Sequence, residues 1–239
     1  MNVVILQPSY IPWRGYFDQI FRADVFVFYD DVQYDKHGWR NRNRIRNRQG
    51  AQWLTIPVHS KGVVVENTPI NEVEIAWQEP WSVRHWRAIR EAYGKTPYFK
   101  EYAPWLEEVY QRRPTLLADF TIPLTIEIAR MLGNQKTRFL RSSELPVTGQ
   151  KTERLIQLLT QLGATHYISG PSARSYIEDD QFQAAGITLE YMEYNYPPYP
   201  QICPPFDPQV SILDLLFMTG PDASSFILQR GENEQHSEL

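Results

Sequence analysis

The N-terminal stretch of this chain carries the pattern that most constrains its fold. Residues 2–8, NVVILQP, form a short β-branched run that ends at Pro8, which is typical of a buried strand. Apolar residues between positions 16 and 21 then recur at helical spacing, so the sequence predicts a helix beginning near Gly15. Residues 24–31, DVFVFYDD, predict a second buried strand. A strand, a helix and a strand in close succession indicate a βαβ unit, which builds a parallel sheet.

The rest of the chain continues this alternation and adds a helical block. Strands are predicted within TRFLRSSEL, THYISG and ITLEYMEYNY, and helices over KTERLIQLLTQLGA, ARSYIEDDQFQAAG and SILDLLFMTG. Between about 77 and 135 the pattern is helical, with Pro123 predicted to kink or restart the last helix. We therefore predict one α/β domain over 1–229, a mainly parallel sheet flanked by helices with a helical insertion at 77–135. A two-domain division at the insertion is the alternative, and the polar residues 230–239 are predicted to be a disordered tail.

Composition excludes several classes of protein. The formal net charge of -4 argues against stable nucleic-acid binding, which depends on a basic face. The single cysteine, Cys203, fits a reducing compartment, and neither it nor the five histidines shows metal-ligand or catalytic spacing, so no metal site is predicted. No apolar run is long enough to span a membrane, so we expect a soluble cytoplasmic protein. Seven Trp and fourteen Tyr exceed the needs of a core, which indicates an aromatic groove.

The turn between the first strand and the first helix is the first candidate site. Ligands of open parallel sheets bind at the carboxyl ends of strands, where a helix N-terminus offers N–H groups and a positive dipole. Arg14 also lies at this turn between the strand and the helix. The predicted substrate- and phosphate-binding residues at this turn are Gln7, Tyr10, Trp13 and Gly15, with Tyr10 or Trp13 stacking on a base or sugar. The alternative is a rigid loop that packs aromatic rings.

Acidic residues at the end of the second strand are the candidate catalytic groups. Asp30, Asp31 and Lys36 lie close together in YDDVQYDK. Adjacent residues on a strand point to opposite faces, so the two carboxylates are not expected to act as a pair. One of them is a candidate general base or metal partner. A structural role for both is the alternative.

A row of arginines follows, in the sequence WRNRNRIRNRQG. If this row is a strand, the five arginines from position 40 to position 48 share one face, and they need an anion opposite them. We predict that the first part of the row faces a ligand phosphate or the two aspartates, whereas Arg46 and Arg48 are solvated. The predicted binding residues of the row are Arg40, Asn41, Arg42, Asn43 and Arg44.

Two later corners between strand and helix complete the predicted site. The predicted phosphate- or substrate-binding residues are Lys151, Thr152 and Arg154 at a helix start, and Ser169, Gly170 and Ser172 after a strand. The alternative is that the hydroxyl groups cap helices and that the basic residues are solvated.

The chain resembles a known family over nearly all of its length. The stretch ILQPSYIPWRGYFDQIFRADVFVFYDDVQYDKHGWRNRNRI, with WLTIPV after it, resembles the WbqC-like family of bacterial proteins, often encoded among genes for surface polysaccharide and O-antigen synthesis. The segments KTERLI, HYISG, SYI, PYPQ and SILDLLF extend the match. The resemblance implies an enzyme that modifies a sugar precursor, by transferring an acyl or aminoacyl group to an amino sugar.

The turn YIPWRGY also resembles the sites of nucleotidyltransferases and class I synthetases with HIGH-type motifs, with Gly15 at the glycine position and no histidine. That resemblance implies a Rossmann-like fold of the HUP type and a phosphate-bearing small-molecule ligand. The expected ligand is a nucleotide or nucleotide-sugar, and a nucleotide with Mg²⁺ is the candidate cofactor. The sequence leaves open whether the protein forms a homo-oligomer. The competing hypothesis is a non-catalytic binding or assembly subunit of a polysaccharide-synthesis complex.

Overall fold

A five-stranded parallel sheet forms the centre of the molecule. The computed structural model describes residues 1–59, 67–175 and 177–228, so the predicted tail at 230–239 lies outside the described residues. The sheet strands are β1 (Asn2–Leu6), β2 (Val25–Phe28), β5 (Arg138–Arg141), β6 (His166–Ser169) and β7 (Thr188–Tyr191). A separate antiparallel hairpin consists of β3 (Arg42–Asn47) and β4 (Gly50–Thr55). The predicted α/β class with a mainly parallel sheet is confirmed.

The order of the strands places a topological switch point beside β1. The sheet runs β5-β2-β1-β6-β7, with every neighbouring pair parallel. The chain winds outward from β1 through β2 to β5, and then returns to place β6 on the other side of β1. The carboxyl ends of β1 and β6 therefore flank the crevice in which open α/β sheets bind ligands.

Helices cover both faces of the sheet. They are α1 (Arg14–Arg22), α2 (Trp81–Tyr93), α3 (Phe99–Gln111), α4 (Leu117–Met131), α5 (Lys151–Leu162), α6 (Asp179–Ala184) and α7 (Ile212–Thr219). Alternate residues of a strand face opposite sides. Val4 and Phe26 accordingly pack into a core with residues of α1 to α4 and α7, whereas Val3 and Val25 pack into a second core with α5 and α6. Both faces of β1 and β2 are buried, as their apolar sequences predict.

Two helix predictions need correction. The helix α4 continues through Pro123 without interruption, so the predicted restart there is wrong. The single helix predicted over 173–186 is instead a 3₁₀ helix at Pro171–Ser175 followed by α6. Ile177, between the two, is buried in the second core, and the acidic residues that open α6 favour a new N-terminus through the helix dipole.

The helices α2, α3 and α4 all lie between β4 and β5, within the range predicted as a helical insertion. In the part of the chain that the structure describes, no helix combines the length and the apolar character needed to cross a membrane.

Candidate functional site

A cleft of about 1760 Å³ opens at the carboxyl edge of the sheet. Its wall includes Gln7 after β1, Tyr29 after β2 and Gly170 after β6, so it lies at the switch point. The first residues of α1 and α5 also line the cleft, and neither helix has a side-chain N-cap hydrogen bond. Helix N-termini with uncapped N–H groups favour anionic ligands.

The start of α1 supplies an aromatic wall. The Trp13 ring folds back over Gly15, where an added Cβ would lie 2.3 Å from Trp13 Cζ2. Glycine is therefore required at this position to make room for the indole. The ring makes edge contacts with Tyr194, at 4.9 Å between centroids, and with Tyr196, at 6.1 Å.

Hydrogen bonds from α1 fix the two tyrosines of this wall. Gln19 Nε2 donates to Tyr194 Oη at 2.9 Å, and Tyr196 Oη donates to the buried Asp18 at 2.8 Å. Burial raises the pKa of Tyr194 to about 12, and burial followed by the nearby Asp18 charge raises the pKa of Tyr196. Both phenols are therefore neutral donors at physiological pH.

Arg14 is a buried cation in the wall of the cleft. It is 5% exposed, and its Nη1 donates to the carbonyls of Pro197 at 2.7 Å and Phe226 at 3.3 Å. Its guanidinium lies 4.8 Å from the Tyr196 ring centroid, and its Nε has no hydrogen-bond partner. Loss of hydration lowers the pKa of Arg14. Among the described residues no carboxylate forms a salt bridge with it.

Arg40 is a second cation of the same kind. Its Nη1 donates to Pro8 O at 3.1 Å, and its Nε is buried without a partner. Within the described ranges it has no salt bridge, and burial lowers its pKa. The cleft therefore contains two guanidinium groups with spare donors and no salt bridge to any described residue.

The opposite wall of the cleft begins at α5. Lys151 and Thr152 line it, together with the exposed carboxylate of Glu153. Thr152 is only 5% exposed, and its hydroxyl makes no hydrogen bond with any residue that the structure describes. Arg154 lies one residue further on, outside the lining, and pairs with Asp31.

The predicted catalytic residues lie outside the lining of the cleft. Asp30 is fully buried, and its carboxylate accepts hydrogen bonds from Arg141 Nε at 2.6 Å and from the Ser143 N–H and hydroxyl at 3.0 Å each. Asp31 pairs with Arg154 and accepts from Ser142 Oγ at 2.5 Å. The alternative in which the arginine row faces these two aspartates is therefore wrong. Lys36 is exposed on the loop after β2.

The arginine row is only partly the strand that its alternation predicts. The strand β3 covers Arg42 to Asn47. Arg42 donates to His37 O and to Gly38 O, and Arg44 donates to Gln209 O at 2.6 Å. The guanidinium groups of Arg42 and Arg44 thus donate their hydrogen bonds to carbonyls of neighbouring loops.

Arg46 is buried, so the prediction that it is solvated is wrong. It donates to Cys203 O at 3.1 Å and to Pro205 O at 2.5 Å. The proline-rich loop presents carbonyls with few N–H groups, because proline has none, and Arg46 supplies the missing donors. Arg48 is exposed, as predicted.

Asparagines of the row support the backbone. Asn41 Nδ2 donates to Ile56 O at 2.8 Å, and Asn43 Nδ2 donates to Tyr10 O at 3.0 Å and Ile11 O at 2.8 Å. Tyr10 itself is fully buried, with its hydroxyl 2.9 Å from His85 Nδ1, so its ring is not available at the surface of the cleft.

The structure brings about half of the predicted binding residues together. Those that line the cleft are Gln7, Trp13, Arg40, Asn43, Lys151, Thr152, Gly170 and Ser172. Those outside the lining are Tyr10, Gly15, Asn41, Arg42, Arg44, Arg154 and Ser169. Tyr194 and Tyr196 line it without having been predicted, and Arg14, which the sequence places at this turn but not among the predicted binding residues, lines it as well. The described residues include no group of three or more His, Cys, Asp and Glu placed to hold a metal ion.

Comparison with known proteins places the chain among homologues. The sequence model of the WbqC-like protein family matches residues 7–226. A relative named uncharacterized protein Rv1507c, from Mycobacterium tuberculosis (strain ATCC 25618 / H37Rv), is 43% identical over 228 residues, which cover 95% of this chain and 97% of the relative. No solved structure matches the chain.

Proposed function

The chain belongs to the WbqC-like protein family, and from the geometry of its cleft we propose that it is an enzyme that binds a nucleotide or a nucleotide-linked sugar. The observation that carries this proposal is the pair of cleft arginines, Arg14 and Arg40, which have buried donors and no salt bridge among the described residues. A buried charge without a counter-ion is costly to the fold. The binding of an anionic ligand, which would supply the counter-ion, gives a reason why the cleft retains both guanidinium groups.

Phosphate is the anion that fits this site best. The planar fork of arginine matches phosphate oxygens, and the N-terminus of α1 adds uncapped N–H groups and a positive dipole to the same wall. Thr152 lies on the opposite wall, at the uncapped start of α5, and its hydroxyl makes no hydrogen bond with a described residue. Two uncapped helix starts at one crevice suit a diphosphate.

The rest of the cleft suits the organic part of such a ligand. Trp13, Tyr194 and Tyr196 form an aromatic wall beside Arg14. The volume of the cleft exceeds the roughly 300–1,000 Å³ typical of small-molecule pockets, so a ligand of several parts can be accommodated. A concave cleft of this volume favours a small-molecule ligand over the flat contact surface of an assembly subunit.

The proposed reaction is acyl or aminoacyl transfer to an amino sugar in surface-polysaccharide synthesis. Arg14 and Arg40 would stabilise negative charge that develops on the ligand. Asp31 would act as a positioning residue, because its pair with Arg154 fixes the first turn of α5. Mg²⁺ carried by the ligand phosphates is the candidate metal cofactor.

Thermal unfolding with candidate ligands tests the binding step. ADP, ATP, UDP and UDP-sugars are added to the wild type, to Arg40→Gln and to Arg14→Lys, which retains the charge but loses the fork. A ligand that binds only the native state stabilises it, by about 2.7 kcal/mol when the ligand concentration is a hundred times Kd, and this stabilisation raises the melting temperature. We expect this rise in the wild type and a smaller one in both variants.

The matched control is Arg84→Gln. Arg84 lies on α2 and forms an exposed salt bridge with Glu79, so this variant also removes one arginine charge but at a site outside the cleft. This variant should respond to ligands as the wild type does. If no phosphate-bearing compound raises the melting temperature of the wild type, the proposed function is wrong.

A further inference from the structure

Two stacked tryptophans, one of which lines the cleft, belong to neither hydrophobic core. Trp39 is 44% exposed and Trp53 is 48% exposed, although indole is among the largest apolar side chains. Their rings are stacked, with centroids 5.4 Å apart and planes inclined by 26°. Trp39 also belongs to the wall of the cleft. Exposed aromatic surface that is continuous with a cleft is typical of a binding surface.

The pair is held in place before any ligand arrives. Trp53 lies on β4 opposite Arg44 of β3, and the guanidinium groups of Arg42 and Arg44 lie 4.9 Å and 5.7 Å from its ring centroid. Loop carbonyls hold both arginines. The backbone of Trp39 is anchored as well, because Tyr10 N–H donates to Trp39 O at 3.1 Å. A rigid platform loses little conformational entropy on binding.

We propose that Trp39, supported by Trp53, binds the sugar ring of a saccharide or nucleotide-linked sugar at the mouth of the cleft. A sugar ring has a face of C–H groups and a rim of hydroxyl groups. A half-exposed indole at the water boundary matches both, because the face packs on the ring while the rim stays hydrated. A nucleobase is apolar on both faces and gains more from a fully enclosed slot.

A polar group beside the platform strengthens this assignment. Gln209 is exposed and lines the cleft, and its Oε1 accepts a hydrogen bond from Arg44 at 2.9 Å. Its amide N–H groups make no hydrogen bond with the described residues, so they are available to a sugar hydroxyl. This sugar-binding proposal depends on the proposed nucleotide-binding function only for the phosphate end of the ligand, because stacking on Trp39 requires no charge.

Fluorine NMR of 5-fluorotryptophan-labelled protein tests the platform directly. Signals of Trp39 and Trp53 are assigned with Trp39→Phe and Trp53→Phe. The probes are free glucose, galactose, mannose and N-acetylglucosamine, then uridine and adenosine, and finally inorganic pyrophosphate. We expect at least one free sugar to shift the Trp39 signal of the wild type in a saturable manner. In the Trp39 variants the neighbouring Trp53 signal is the reporter, and we expect it to give an affinity about tenfold weaker in Trp39→Ala, the loss expected for one stacking contact.

The controls separate the two proposals. Trp86→Phe, on α2 outside the cleft, should leave sugar binding unchanged, and Trp39→Phe should retain part of it. If pyrophosphate binds but no sugar shifts the Trp39 signal, the platform is wrong and the proposed function stands. If nucleosides shift that signal and sugars do not, the platform binds a base and the sugar assignment is wrong. If sugars bind and neither pyrophosphate nor any nucleotide does, only the proposed function fails.

Discussion

Asn43 shows how one side chain shapes the wall of the cleft. Its amide donates to Tyr10 O and Ile11 O, and Ile11 has a φ of 38°. A β-branched residue in the left-handed region costs on the order of 1–3 kcal/mol, so the surrounding contacts must enforce it. Asn43 is buried and supplies two of those contacts.

We expect Asn43→Asp to lower the free energy of unfolding by about 3 kcal/mol, because a carboxylate would then face two carbonyl oxygens without a donor. Urea denaturation measures this change. Asn47→Asp on the same strand is the control, because Asn47 is only partly buried and its Nδ2 bonds an exposed Gln52. Equal losses in the two variants would show that Asn43 does not hold the turn.

Gly15 provides a second test at the scale of one residue. Alanine is a better helix former than glycine, so propensity alone predicts that Gly15→Ala stabilises α1. The Cβ would instead lie 2.3 Å from the Trp13 ring. We expect a loss of stability and a changed near-UV circular dichroism spectrum. Gly170→Ala is the control, since its Cβ would meet only Tyr194 Oη at 3.5 Å. A stabilised Gly15→Ala variant with an unchanged spectrum would contradict the packing.

The sequence indicates where charged residues occur along the chain but not which groups they meet. The alternation from Arg40 to Arg48 predicts a shared face, and β3 provides it from Arg42 onward. The partners, however, are carbonyls of Gly38, Gln209 and Pro205. Backbone carbonyls of irregular loops have no residue type, so no sequence pattern points to them.

At the scale of elements, α2 connects the helical block to the loop after β1. His85 on α2 lies 2.9 Å from the Tyr10 hydroxyl and against the rings of Trp81 and Tyr110, with the charged Arg84 as its chain neighbour. Burial lowers the pKa of His85 to about 4, so the ring is neutral in the folded state near pH 7.

This pKa predicts a pH dependence of stability. Between about pH 6.5 and pH 4, His85 is protonated in the unfolded chain, where its pKa is near 6.5, but is neutral in the folded protein. The stabilising contribution is therefore fully present above pH 6.5 and is lost as the pH falls toward 4, by roughly 3 kcal/mol. Urea denaturation from pH 4 to 8 measures it. The difference in the free energy of unfolding between wild type and His85→Gln isolates the contribution of His85. Other groups also titrate in this range, such as Asp214, because burial raises its pKa. A difference that does not change with pH would contradict a buried neutral histidine.

Elements with a strong apolar period are predictable, and irregular ones are not. The strands β1, β2 and β6 and the helix α5 follow from their sequences, because each buries a regular set of apolar side chains. The loop from 192 to 210 has no period, yet it supplies Tyr194 and Tyr196 to the cleft. Its position depends on hydrogen bonds to Gln19 and Asp18, more than 170 residues earlier in the chain.

At the scale of the whole molecule, an acidic chain places two arginines without a salt bridge to any described residue in one cleft. The net charge is -4, but Arg14 and Arg40 have no salt bridge in the described part of the chain, whereas Arg141 and Arg154 each pair with an aspartate. The βαβ pattern predicts the parallel sheet and an anion site at its carboxyl edge. The order of the strands requires long-range pairing, so the position of the switch point comes only from the structure.

This distribution of charge separates functional arginines from structural ones. Arg141→Met would leave the fully buried Asp30 without its cation, and removal of one partner of a buried pair costs about 3–5 kcal/mol. Arg40→Met removes a partly buried cation that has no salt bridge, so the lost hydrogen bond to Pro8 O is offset by relief of desolvation. We expect the free energy of unfolding to fall by less than about 1 kcal/mol in Arg40→Met and by about 3 kcal/mol or more in Arg141→Met.

Ligand-induced stabilisation should follow the opposite order. Urea titrations with and without inorganic pyrophosphate measure both quantities in the same samples. Arg40→Met should lose most of the stabilisation by pyrophosphate, because it lacks one of the two cleft cations. Arg141→Met should retain that stabilisation wherever the variant is folded, because Arg141 lies outside the lining. A large loss of intrinsic stability in Arg40→Met, with unchanged pyrophosphate binding, would show that Arg40 serves the fold and that the cleft does not use it for an anion.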